Sequence, residues 1–248
     1  MENNFYVNRP FINIYERPVQ NSKISSQILF GECFQILRKG RNFYKIKTKY
    51  DKYIGFVKID SFLKNYKANF KVKVLKARIY KRPNLSSKSN IFLPFSSNIE
   101  ILERNKNFFK FQNGMWIKKI DICRANVKTK NFSHIFKMFR NCRYKWGGKT
   151  YKGVDCSALI QLFYKFNNRY FPRDTIHQIN YKTGIKNKKI FKLGDIIYWK
   201  GHVAVCLDSK DLIHAYGPRK KVVIMPINKT INLIKHTANL KVKKIFTI

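Results

Sequence analysis

The sequence predicts two small antiparallel β-barrels followed by an α+β domain. Three observations carry that reading: an internal repeat fills the first half, a glycine-rich turn near the middle opens a periodic helix, and short β-like runs crowd the end. The boundaries fall at residues 1–65, 66–125 and 126–248. A chain of 248 residues with 44% hydrophobic content can support several cores of that size.

The repeat begins at Ile14-Tyr15-Glu16-Arg17-Pro18, which returns as Ile79-Tyr80-Lys81-Arg82-Pro83 at an offset of 65. The register holds from Phe34–Ile46 to Ile99–Phe111. Phe56–Asp60 then answers Ile117–Asp121 at an offset of 61, so the second copy is four residues shorter in the intervening loop. Within each copy, short alternating segments are separated by Asn, Gly, Ser and Lys turns, the pattern of a small antiparallel barrel or sandwich.

The third domain opens with a helix that Asn131 or Ser133 can cap, its apolar stripe made of Phe132, Ile135, Phe136 and Phe139. Next, Gly147, Gly148 and Gly153 run into Asp155-Cys156-Ser157, after which Leu159, Leu162, Phe163 and Phe166 recur at helical spacing. Cys156 therefore occupies a first helical turn. Unpaired N–H groups and the positive end of the helix dipole there favour a thiolate, as a nucleophilic cysteine requires. The Cys156 N–H itself can stabilise an oxyanion. Phe171-Pro172-Arg173-Asp174-Thr175 forms a loop, and His177 reads as a surface residue.

Strands follow at Ile196–Trp199, His202–Leu207, Leu212–Tyr216, Val222–Met225 and Val242–Ile248, two of them bearing a histidine. A nucleophilic cysteine needs an imidazole to take its proton and a second polar group to orient that imidazole. Period-two alternation puts His202, Ala204 and Cys206 on one face. For His214 to share that face, the turn through Asp208 to Asp211 must have odd length or carry a bulge, because a slip of one residue inverts every side chain.

In this order, Tyr144-Lys145-Trp146-Gly147-Gly148, Asp155-Cys156-Ser157, Gly194-Asp195-Ile196-Ile197-Tyr198-Trp199 and Gly201-His202-Val203-Ala204-Val205 resemble the motifs of the NlpC family of papain-like cysteine peptidases. The two repeats are similar to bacterial SH3-like barrels. Together they resemble cytoplasmic γ-D-glutamyl-L-diamino acid endopeptidases that recycle wall peptides. The resemblance implies Cys156 as nucleophile, His202 as base and His214 as its orienting partner, with Tyr144 beside the oxyanion. It further implies that Asp155 and Ser157, with Glu32 and Tyr53 of the first barrel, bind the α-amine of an N-terminal L-Ala. The second copy has Ser97 in place of Glu32 and the deletion near the position of Tyr53. An amidase or acyltransferase on the same fold, or a basic polymer-binding protein, are the alternative readings.

The net charge of +39 comes from 52 Lys+Arg against 13 Asp+Glu and is spread over the whole chain, as expected of A/T-rich coding DNA. No groove-reading motif accompanies it, which argues against nucleic acid as the partner. A peptidoglycan-derived peptide is the expected substrate. Five cysteines without Cys-x-x-Cys spacing indicate neither a disulfide framework nor a zinc site, and Cys142, Cys156, His202 and His214 match no familiar ligand pattern, so no metal or cofactor is expected. With no export signal and no apolar run near the roughly 18 residues of a membrane span, the expected location is the cytoplasm.

Overall fold

The computed structural model describes residues 4–112 and 114–248, which divide into two compact units. One holds the residues up to Lys128 together with Lys149–Tyr151, and the other holds Thr129–Gly148 and Lys152–Ile248.

In the N-terminal unit the repeat of the sequence is a repeat of strands. Phe11–Tyr15, Ile24–Leu29, Phe43–Thr48 and Ile54–Lys58 of the first copy correspond to Lys76–Tyr80, Lys88–Pro94, Phe108–Gln112 and Met115–Lys118 of the second. Tyr15 pairs with Phe56 in the first copy, and in the second its counterpart Tyr80 pairs with Trp116, one residue before Ile117, the counterpart of Phe56. The strands give the SH3-like, strand-rich region expected, as sheets with no closed barrel among the described residues. In the first copy, the long strand Cys33–Lys39 bends at a register shift between Ile36 and Arg38 and serves both Asn4–Tyr6 and Phe43–Thr48 in one sheet of six strands. Its counterpart in the second copy is cut into Asn98–Ile99 and Glu103–Arg104. The cut has a local cause: the Tyr66 hydroxyl and the Asn69 side-chain Oδ1 accept the backbone N–H groups of Glu100 and Ile101 at 2.7 and 2.9 Å, satisfying donors that a ladder would have used.

The two copies share apolar contacts. Phe30 of the first is 1% exposed and lies in a cluster with Val72, Ile79 and Ile117 of the second, edge-on to Phe111 at 5.5 Å. Gly31 follows it at φ +69, where a Cβ would stand 2.1 Å from the Asn98 carbonyl oxygen, so only glycine lets the two backbones approach.

The C-terminal unit starts with the helix Phe132–Met138, capped by Asn131, whose side chain accepts the His134 N–H at 3.1 Å. Ile135, Phe136 and Phe139 are buried, as their spacing predicts. The helix Cys156–Phe166 is buried along its whole length. Five antiparallel strands follow in the order Lys221–Pro226, Asp211–Tyr216, His202–Cys206, Asp195–Trp199 and Lys244–Thr247. This is the α+β layering expected.

Between the fourth and fifth of these strands in the chain lies the helix Ile227–Ala238, which the strand pattern did not anticipate. Ile227, Ile231 and Ile234 project from it onto the core shared by Ile197, Trp199 and Met225, and Asn239 ends it in the left-handed conformation. No helix among the described residues is long and apolar enough to cross a membrane.

Candidate active site

The start of the Cys156 helix is held by its own N-cap. Asp155 is extended, with φ −95 and ψ 174, and Oδ1 accepts the Ala158 N–H at 2.8 Å. The preceding glycine turn folds back onto the same carboxylate: Gly147 N–H donates to Oδ2 at 2.9 Å, and the Asp155 N–H donates to the Gly148 carbonyl at 3.3 Å. A Cβ on Gly148 would lie 2.4 Å from the Gly153 carbonyl oxygen, so the Trp-Gly-Gly stretch closes only without a side chain there.

Arg173, which the sequence reading left as an ordinary loop residue, completes the clamp. Its guanidinium meets Asp155 through both nitrogens, at 2.6 and 3.0 Å, and donates to the Ser157 hydroxyl at 2.8 Å. Gln178 ties that loop to the helix by donating to the carbonyls of Ser157 and Pro172 at 3.0 and 2.8 Å. With the Ser157 hydroxyl also donating to it, the Asp155 carboxylate accepts five hydrogen bonds and is paired with one buried cation. A carboxylate has about four lone-pair sites. Asp155 therefore holds the helix start and positions Ser157.

Cys156 is 5% exposed at the first position of its helix. Burial pushes the thiol up to about 12, with the neighbouring Asp155 charge adding to the rise; Val203 N–H, Arg173 and Ser157 N–H oppose it without prevailing. The expectation of a resting thiolate is corrected accordingly, because desolvation outweighs the helix terminus.

The two histidines meet through the predicted parity. Val205 pairs with Ile213 and Cys206 with Leu212, a register that sets His214 across from Ala204. The strands are joined through Asp208-Ser209-Lys210, a three-residue turn closed by Leu207 N–H donating to the Asp211 carbonyl at 2.8 Å. The Asp208 carboxylate accepts the Lys210 and Asp211 N–H groups at 2.7 Å each, which fixes the turn and holds that carboxyl below its ordinary range. His202 Nε2 and His214 Nδ1 lie 2.8 Å apart. Tyr216, also missed at first reading although it alternates with His214, stacks on that ring at 4.6 Å and 14°. On its other side, His214 Nε2 contacts Met225 Sδ at 3.4 Å.

Burial pushes His202 down to about 4. Fully buried His214 falls to about 2, through burial first and then through the proximity of His202 and Arg219. Both rings are neutral at ordinary pH. Tyr144 has its hydroxyl raised by burial and then by Cys156 and Asp155, which puts it within electrostatic reach of the nucleophile, and its ring lies over Gly217. Cys206 is buried in the core on the His202 face, and His177 is exposed, both as read from the sequence. Among the described residues, no group of three or more His, Cys, Asp or Glu side chains is placed to hold a metal ion.

Glu32 and Tyr53 belong to the N-terminal unit. Buried Glu32 accepts the Leu29 N–H at 2.6 Å, and the Tyr53 N–H donates to Thr48 Oγ1 at 2.8 Å. Ser97 makes the same turn in the second copy, its N–H bonding the Pro94 carbonyl as that of Glu32 bonds Leu29.

Comparison with known proteins gives matches in both units. The NlpC/P60 family pattern matches residues 141–239, and the bacterial dipeptidyl-peptidase SH3 domain matches residues 14–62. A Bacillus cereus protein named gamma-D-glutamyl-L-lysine dipeptidyl-peptidase is 31% identical over 100 residues, covering 37% of this chain and 30% of the relative. A probable endopeptidase NlpC homolog of Haemophilus influenzae is 32% identical over 94 residues, covering 37% of this chain and 51% of the relative. The chain thus spans about half or less of the length of these curated relatives. In fold, it is similar to a crystal structure of an NlpC/P60 family protein from Bacillus cereus, with TM-score 0.78 and 20% identity over 91% of this chain and 94% of the other. A structure of an NlpC/P60 endopeptidase from Photobacterium damselae gives TM-score 0.65 at 14% identity, covering 97% of this chain and 70% of the other. The fold, the Cys-His-His order and the matched patterns converge: the chain carries a domain of the NlpC/P60 family of cysteine peptidases behind a bacterial dipeptidyl-peptidase SH3 domain.

Proposed function

We propose that the protein hydrolyses the γ-D-glutamyl–diamino acid bond of freed peptidoglycan stem peptides that carry an N-terminal L-Ala, as a cytoplasmic step of wall-peptide recycling. One observation carries the reading: Cys156 opens a buried helix, and His202, the proposed base, is tied through Nε2 to His214 at 2.8 Å.

That tie leaves His202 Nδ1 as the nitrogen for proton transfer. Thiol and imidazole are neutral at rest, so the thiol attacks the γ-carbonyl carbon as His202 removes its proton, and the resulting imidazolium protonates the departing amine. The thioester left on Cys156 is then hydrolysed by water with His202 as base. The first-turn N–H of Cys156, with Tyr144 beside it, receives the developing oxyanion. The name of the Bacillus cereus relative supports the substrate class. Glu32 and Tyr53 of the N-terminal unit are proposed to recognise the α-amine, since a desolvated ammonium needs anionic partners.

Mass-spectrometric digestion of L-Ala-γ-D-Glu-L-Lys peptides, free and N-acetylated, tests this specificity. Glu32→Gln is expected to impair the free peptide more than the acetylated one by roughly 2–5 kcal/mol. Equal losses on both would remove Glu32 from amine recognition. Turnover of lipid or small amides with stem peptides left intact would favour the amidase reading.

A further inference from the structure

We propose that Met225 is a positioning residue that sets the tautomers of the two histidines so that His202 presents a bare Nδ1 to Cys156; this rests on the catalytic reading above. A thioether sulfur has no proton to give and can only accept. His214 Nε2, 3.4 Å from Met225 Sδ, is therefore best served as the N–H of a neutral ring. Its Nδ1 is then the acceptor, and at 2.8 Å it receives a proton from His202 Nε2. With its hydrogen on Nε2, His202 keeps the Nδ1 lone pair.

The opposite arrangement reverses every step. His214 would donate from Nδ1 and set a bare Nε2 against the sulfur lone pairs, and His202 would carry its hydrogen on Nδ1 and be unable to accept the thiol proton. The sheet explains why sulfur stands there. Leu212 pairs with Met225 and His214 with Val223, so Met225 is the diagonal neighbour of His214 on the same face. The unbranched side chain reaches across, and Tyr216, stacked on the ring, fixes the plane in which Nε2 points. Core packing alone accounts for the burial of Met225, but not for a sulfur placed at the one ring nitrogen that needs an acceptor.

Two substitutions separate these roles. Met225→Leu keeps an apolar side chain of similar volume and removes the acceptor, whereas Met225→Gln supplies a carbonyl oxygen. In wild type, two-bond 15N–1H spectra at neutral pH should show both histidines protonated at Nε2. Met225→Leu should shift both toward Nδ1–H and lower kcat by about tenfold with KM unchanged, the size of one lost net hydrogen bond. Met225→Gln should restore the wild-type pattern and most of the rate.

Wild-type protein with hydrogen on His202 Nδ1, or a Leu variant with unchanged tautomers, would overturn the proposal while leaving the peptidase reading intact. A tautomer shift in the Leu variant of a protein that never cleaves stem peptides would uphold the Met225 role and sink the peptidase reading.

Discussion

At the scale of single residues, the protonation states of Cys156 and His202 decide the mechanism. Burial raises the Cys156 thiol to about 12 and lowers the His202 imidazole to about 4, so both groups rest neutral and attack starts without a preformed thiolate–imidazolium ion pair. The sign of the pH dependence follows. The reactive form of His202 is neutral, and it stays neutral until pH falls toward its depressed value. The acid limb of kcat/KM should therefore lie well below the ordinary histidine value of about 6.5. A pH profile of stem-peptide hydrolysis checks this, and a limb centred at about 6.5 would show that His202 is solvated in the working enzyme. The meeting of His202 and His214 was legible because strand alternation and the parity of the hairpin turn fix a shared face. The protonation state of the thiol was not, since the helix terminus is visible in sequence and the desolvation opposing it comes from distant parts of the chain.

At the scale of elements, the helix start and the Arg173 loop form one polar assembly inside an apolar unit. Side-chain exposures of 2% for Arg173 and 7% for Asp155 leave little solvent to compensate a broken pair. Arg173→Met should destabilise the protein by about 3–5 kcal/mol, because it leaves the carboxylate buried with only neutral donors. Urea denaturation measures it, and a loss under about 1 kcal/mol would mean that the backbone N–H groups and Ser157 hold Asp155 alone. The hairpin was readable in advance: alternation fixed the faces, and the need for a shared face fixed the parity of the Asp208–Lys210 turn. Arg173 could not be assigned, because nothing in Phe-Pro-Arg-Asp-Thr says which carboxylate a loop arginine meets. The helix Ile227–Ala238 escaped notice since its apolar positions are sparse among Asn, Lys and Thr, and the preceding strand signal runs directly into it.

At the scale of the whole molecule, the repeat was evident from its offset of 65, yet the contact that unites the copies was not. Phe30 is one apolar residue among many in sequence, and only the fold places it in the second copy's core beside Phe111. The central claim remains that one thiol in this chain carries peptide hydrolysis. Mass-spectrometric digestion of L-Ala-γ-D-Glu-L-Lys peptides by wild type, Cys156→Ala and His202→Ala tests it most directly. The account predicts release of L-Ala-D-Glu by wild type and its loss, by a factor of about 10⁴ or more, in both folded variants, because each removes half of a single nucleophile–base unit. Undiminished release by folded Cys156→Ala, or an intact γ-D-glutamyl bond after prolonged digestion with wild type, would contradict it.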